Sequence, residues 1–229
     1  MAKKAILIFG PPNSGKGTQA KLLADKFGLF QFTTSQLAKD YMKESSDPET
    51  LRQIELYKQG ILFEPAWTLR VVQEKTREIF EKAKGIVYDG SPRTLYEAEG
   101  LYLLLVELFG KENIFIFEFK INESELLRRL AKRLVCSNNT SHSFIAGAAS
   151  DAAGAQNMSI GQPCPEGDGI LEKRDLDKRE IFGARMDEYN NRTVPGIEFL
   201  RSKHPLVEID GGQSISKVHR DIAKALNIK

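Results

Sequence analysis

The chain has 229 residues, 41% hydrophobic and 28% charged, with 33 basic against 31 acidic side chains and a formal net charge of +2. That is an ordinary soluble composition, long enough for one large core or a core with inserted modules, and its charge balance gives no argument for a nucleic-acid or membrane surface. Two cysteines, Cys136 and Cys164, do not make a disulfide framework, so a reducing compartment is expected and the cytoplasm is the simplest address.

The first apolar run, Ala5 to Phe9, follows Lys3 and Lys4. It is too short for a signal segment, and no stretch reaches the length of a membrane span. It reads as a buried strand. It leads straight into Gly10-Pro11-Pro12-Asn13-Ser14-Gly15-Lys16-Gly17-Thr18 and then an amphipathic helix over Thr18 to Phe27, stopped by Gly28. Strand, Gly-x-x-x-x-Gly-Lys loop and helix make a phosphate cradle. Backbone N–H groups and the helix N-terminus face an anion, while Lys16 reaches the β- and γ-phosphates of a nucleoside triphosphate. Ser or Thr usually follows the lysine; here Gly17 intervenes and Thr18 comes next. The chain is expected to bind a nucleotide phosphate.

Further apolar runs predict strands over Phe30 to Thr33, Ile86 to Tyr88, Ile114 to Phe119 and Leu206 to Ile209. Helical spacing falls between them, over Pro65 to Lys82, Thr94 to Phe109 and Glu123 to Val135, the last opened by Asn122 with Glu125. Strands alternating with helices predict an α/β fold around a parallel sheet, with ligands at the carboxyl ends of its strands. The loops after Phe9, Thr33 and Tyr88 then surround one site. Two stretches interrupt the alternation. Residues 34–65 read as a polar helical excursion, and 136–172 are rich in Ser, Asn, Ala, Gly and Pro, with a nearly low-complexity stretch at Ala146 to Ala155 that is expected to be a mobile tip. Asp175 to Arg192 reads as a charged, solvated helix that Pro195 ends or kinks. Trp67, Phe80 and Leu101 to Leu108 read as core, and His142, His204 and His219 as surface residues.

Asp89-Gly90-Ser91-Pro92-Arg93 closes the Ile86 strand. A carboxylate there can hold Mg²⁺, largely through water, and Arg93 offers a planar fork to phosphate. With the phosphate loop upstream and the Arg174 to Tyr189 segment downstream in the same order, nearly the whole chain resembles the adenylate kinase family of nucleoside monophosphate kinases. The resemblance implies a P-loop NTPase-type parallel five-stranded sheet flanked by helices. Residues 1–33, 66–135 and 173–229 would form the core, 34–65 the monophosphate-binding module and 136–172 a lid. It implies reversible transfer of the γ-phosphoryl group of Mg²⁺-bound ATP to AMP, giving two ADP, in a monomer whose partners are these nucleotides.

Carried over by position, Asn13, Ser14, Gly15, Lys16, Gly17 and Thr18 hold the donor phosphates, with Thr18 and Asp89 near Mg²⁺. Arg129 stacks on the donor adenine, which also meets the Gly211-Gly212-Gln213 loop. Thr34, Lys39, Leu62, Phe63, Gly90, Arg93 and Glu97 face the acceptor. Lys16, Arg93, Arg133, Arg174 and Arg185 surround the transferring group.

Five positions depart from the family pattern. Asn13 replaces a glycine but tolerates left-handed backbone. Lys39 replaces an arginine fork with a point charge, predicting weaker acceptor phosphate binding. Glu97 stands where a glutamine faces the acceptor base, which leaves two readings open: altered acceptor specificity, or an exposed helix residue. Ser91 replaces a bulky aromatic. Leu176 removes a carboxylate expected to pair with arginines on closure, leaving Asp175 or Asp177 to offset it. These departures keep two rivals in play, a kinase for GMP, UMP or CMP and a weakly catalytic nucleotide-binding module. Zinc-bearing members carry two Cys-x-x-Cys pairs in the lid; here only Cys136 and Cys164 remain, too few for a structural site. His142 or Asp168 are the residues that could complete one, and a metal-free cover is expected.

Overall fold

The apolar strands alternate two sets of side chains, so the sheet they build needs cover on both faces. The structure is a computed structural model, and it describes residues 2–34, 36, 48–139, 142–147 and 158–226. In chain order its elements are β1 (Lys4–Phe9), α1 (Lys16–Phe27), β2 (Phe30–Thr33), α2 (Pro48–Lys58), α3 (Pro65–Lys82), β3 (Gly85–Asp89), α4 (Leu95–Phe109) and β4 (Ile114–Lys120). There follow α5 (Glu123–Lys132), β5 (Arg133–Cys136), β6 (Ser143–Ile145), β7 (Leu171–Glu172), α6 (Arg179–Glu188), α7 (Val194–Lys203), β8 (Leu206–Asp210) and α8 (Ile215–Ala225).

The main sheet runs β2-β3-β1-β4-β8, every neighbour parallel. Ile6 lies opposite Val87 on one side and Phe115 on the other. Alternation then sorts the core. Leu7, Phe9, Tyr88 and Ile116 face one way, under Val72 of α3, Leu101 and Leu105 of α4, and Ile197 and Leu200 of α7. Ile6, Ile8, Val87, Phe117 and Phe119 face the other, under Leu23 of α1 and Ile222 of α8. β3 and β2 lie on one side of β1, β4 and β8 on the other, so the loops leaving the strand ends diverge around β1 and open a crevice there. The five-stranded parallel sheet expected from the sequence is present.

The segment read as helix to Val135 behaves differently. α5 stops at Lys132 because Arg133 is extended (φ −69°, ψ 134°), and β5 pairs antiparallel with β6 and β7 in a second small sheet. Leu134 and Cys136 pack there with Cys164 and Leu171, a local core that outweighs the helical spacing. Nor does Pro195 end a helix. The right-handed helical backbone runs on through a π-helical turn over Tyr189–Thr193 into α7, so the helix is interrupted just before Pro195 rather than ended by it. Asp175–Asp177 form a separate 3₁₀ turn before α6. Trp67 is core as read, whereas Leu103 within the Leu101 to Leu108 run is 71% exposed. All three histidines are half-buried rather than surface residues. His204 Nε2 lies 2.9 Å from the Ile114 carbonyl, with its ring against Tyr102. Lys39 and the tip beyond Gly147 lie outside the described residues. No helix among the described residues is long and apolar enough to cross a membrane.

β4 lies between β1 and β8, and Ile116 in it is 1% exposed. Ile116→Ala should cost about 3 kcal/mol through lost transfer energy and a residual cavity. The measurement is the denaturant midpoint at constant slope; an unmoved midpoint would contradict the packing described.

Candidate active site

The loop between β1 and α1 turns tightly, with Ser14 N–H donating to the Pro11 carbonyl at 3.2 Å. Asn13 and Gly15 both adopt positive φ, 65° and 96°. Gly15 caps α1 without any side-chain hydrogen bond, so the first amides of α1 remain for a ligand. Lys16 Nζ folds back to donate to the carbonyls of Gly10 at 2.7 Å and Pro11 at 2.8 Å. Burial pushes the Lys16 ammonium down to about 7; Asp89 opposes that shift, and Arg93, Arg185 and Arg133 add to it.

This loop forms one wall of a cavity of about 1000 Å³, a size suited to a small organic ligand or two. Every site residue expected from the sequence, apart from Lys39, lines it: Asn13, Ser14, Gly15, Lys16, Gly17, Thr18, Thr34, Leu62, Phe63, Asp89, Gly90, Arg93, Glu97, Arg129, Arg133, Arg174, Arg185 and Gln213. The sequence separations are large, so the sheet and its insertions bring them together.

The arginines are held by specific partners. Arg129 donates to the Ser14 carbonyl at 3.0 Å, to the Gly211 carbonyl at 2.7 Å and to Glu125 at 2.8 Å, strapping the phosphate loop to the loop after β8. Gln213 in that loop donates to the Asp210 carbonyl and to Asp221, both at 3.1 Å. Arg133 donates to Asn13 Oδ1 at 2.7 Å and Ser143 Oγ at 2.9 Å. Arg174 donates to Tyr57 Oη at 3.1 Å, and Arg185 to the Leu176 carbonyl at 3.2 Å. Asp177 Oδ1 lies 3.6 Å from both Arg133 and Arg185. Of the two neighbouring carboxylates, Asp177 is therefore the one beside the arginines, while Asp175 pairs with Lys178 at the surface. Burial still pushes Arg185 down to about 9, helped by Arg174, Arg133 and Arg93, and lowers Arg133 too.

On the other side, Thr34 Oγ1 donates to the Gly90 carbonyl at 3.0 Å and meets Ser91 Oγ at 2.6 Å. Ser91 is buried, so its hydroxyl finds a partner where an aromatic ring was expected. Arg93 Nε donates to the Gly90 carbonyl at 2.8 Å. Glu97 is not an exposed helix residue: it is 3% exposed and sits in the first turn of α4, where the Thr94 side chain caps its N–H. Its carboxylate accepts from Arg93 N–H at 2.9 Å and Thr94 Oγ1 at 3.0 Å, while Thr94 Oγ1 accepts from Glu97 N–H. Burial raises its pKa against the pull of those donors. Phe63 stacks on Tyr57 at 5.8 Å, and Leu62 N–H donates to Glu188 at 3.0 Å.

Asp89 and Thr18 suit a hard cation. Gly17 leaves the space beside the carboxylate open: a β-carbon there would stand 3.0 Å from Asp89 Oδ2. Oxygen donors of this kind fit Mg²⁺. In the second sheet, the ligand atoms of Cys136, His142 and Cys164 lie within 4.8 Å of one another, and Asp168 instead accepts from Asn138 at the surface. Two thiols and an imidazole are thus gathered, short by one of the usual tetrahedral zinc set among the described residues.

Tyr57, Glu188 and Ser143 were missed in the sequence. Tyr57 and Glu188 act across 117 and 126 positions and Ser143 across the β5–β6 pairing, ten positions from Arg133, none with a motif around it; only a capping signal, such as that of Glu125, was open to local reading.

The sequence model of the family described as adenylate kinase matches residues 8–204. The adenylate kinase of Geobacter sp. strain M21 is 30% identical over 221 residues, 96% of this chain and 98% of that one. That of Zymomonas mobilis is 30% identical over 224 residues, covering 98% and 96%, and that of Methanothrix thermoacetophila 28% over 223, covering 97% and 98%.

Lys16 gives a direct pH signature. The unfolded chain holds this proton up to the ordinary lysine range near 10.5 and the ligand-free fold only to about 7. Between those values the unfolded state binds more protons, so the free fold gains stability as pH rises. A bound phosphate chain restores the ammonium. ATP binding at pH 8 should therefore take up as much as about one proton, lost in Lys16→Met. Calorimetry in buffers of different ionisation enthalpy measures it; no uptake by the parent chain would contradict this electrostatic account.

Proposed function

The chain belongs to the adenylate kinase family, a phosphotransferase that moves a phosphoryl group between ATP and AMP, and we propose that the cavity at the ends of β1 and β3 runs this reaction with the residues placed around it. The observation that supports this most is the convergence of Lys16, Arg93, Arg133, Arg174 and Arg185 on one cavity from separate elements.

In this reading, the loop amides of residues 13–18 and Lys16 hold the donor phosphates. Arg129 and Gln213 lie where the donor base rests. Thr34, Leu62, Phe63, Gly90 and Glu97 line the acceptor's place, with Lys39 as its further cation, and Arg93 grips the acceptor phosphate with its planar fork. Arg133, Arg174 and Arg185 neutralise the oxygens of the group in flight. The nucleophile is a phosphate oxygen, ionised before it arrives, so no side-chain base has to remove a proton. The protein's work is positioning and charge neutralisation. Mg²⁺, with Asp89 and Thr18 as its holders through water, would supply further charge neutralisation on the donor phosphates.

We assign residues 1–33, 66–135 and 173–229 to the core, 34–65 to the acceptor module and 136–172 to the lid. The second sheet, with a core of its own, supports the lid as a unit, its first strand starting at Arg133, three residues before that boundary. Buried free thiols suit a reducing cytoplasm, near-balanced charge suits small nucleotides rather than nucleic acid or membrane as partners, and the functional unit is taken as a monomer.

Phosphorus NMR of the chain with Mg²⁺, ATP and each monophosphate tests the reading. ADP should form fastest with AMP, and Arg93→Ala should lower kcat/KM for AMP by at least about 100-fold. Equal rates with GMP, CMP and UMP, or no ADP at all, would overturn it.

A further inference from the structure

The phosphate loop carries an amide whose bonding is half complete. Asn13 holds a φ of 65°, a conformation glycine adopts freely and other residues rarely. Its Oδ1 accepts from Arg133 Nη1 at 2.7 Å. A guanidinium only donates, so the carbonyl oxygen must face it and the NH₂ group must turn away. That Nδ2 is buried and has no hydrogen-bond partner, which native proteins seldom leave without a purpose. Asn13 lines the main cavity together with Lys16. Arg133 itself is held by Asn13 and by Ser143 Oγ in β6, with the Asp177 carboxylate farther off at 3.6 Å. Of these, Asn13 belongs to the loop that also carries Lys16.

We propose that Asn13 is a positioning residue for phosphoryl transfer: its carbonyl fixes Arg133 against the phosphate loop, and its free N–H donates to an oxygen of the bound phosphate chain. The inference rests on the functional reading above. It gives the side chain a reason to occupy strained backbone. One amide joins the cradle to an arginine at the root of the second sheet, so the cation stands oriented before the phosphate arrives. A donor ordered in advance costs no reorganisation during the reaction.

Two variants separate the parts. Asn13→Gly relieves the backbone and should melt no lower than the parent, so any loss belongs to the amide. Its kcat should fall roughly tenfold or more while KM for AMP stays within about twofold of the parent's. Asn13→Asp keeps an acceptor for Arg133 but loses the donor and adds a negative charge, so the calorimetric Kd for ATP should rise roughly tenfold or more. Asn13→Gly with parental kcat would overturn the positioning of Arg133, and Asn13→Asp with parental Kd would overturn the donation to phosphate. Absence of ADP from the parent chain would strike the functional reading instead, and the Kd comparison would still decide the donation.

Discussion

The cavity holds more positive charge than its own carboxylates neutralise. Lys16, Arg93, Arg133, Arg174 and Arg185 line it, and Asp177 stands between two of the arginines at 3.6 Å from each. That distance is too long for a hydrogen bond, and both Asp177 oxygens are buried without one. The pairing is therefore loose, and Arg185 and Lys16 both sit well below their ordinary proton affinities. Such a site is unfavourable when empty and favourable around a polyanion. Stability is given up in the free protein for binding and for charge neutralisation during transfer.

The rest of the fold can be understood as the means of assembling that charge. β1 ends in the loop that presents Lys16, and β3 ends beside it in Asp89, with Arg93 in the turn that follows. Arg133 opens the second sheet and Arg185 lies on α6. No single element could place them all, because like charges on one helix face would repel without a ligand to repay them. Neutral contacts do the holding. The Gly90 and Leu176 carbonyls, the Tyr57 and Ser143 hydroxyls and the Asn13 amide oxygen accept from Arg93, Arg185, Arg174 and Arg133 and leave their charge uncancelled.

The sheet was legible because its strands are short apolar runs with turn residues between them, and the phosphate loop because its spacing carries a mechanism. Other features needed three dimensions. Leu134 and Val135 continue the apolar spacing of α5, and only the packing of Cys164 and Leu171 against that segment makes it a strand. Thr94 and Glu97 form a local capping signal, but the burial of Glu97 depends on elements distant in the chain. The choice between Asp175 and Asp177 depended on the 3₁₀ turn that points one outward and buries the other. Ser91 finds Thr34 across 57 positions, a contact no local pattern announces.

The central claim is that the arginine cluster is costly to the free fold and necessary for transfer. Arg185→Gln removes one buried charge while keeping a polar side chain beside the Leu176 carbonyl. The decisive measurement is the denaturant midpoint of the ligand-free variant against the parent, with ADP formation followed in the same preparations. The account predicts a midpoint at or above the parent's and turnover lower by about 100-fold or more. A variant that is less stable than the parent yet transfers phosphoryl groups at the parental rate would contradict it.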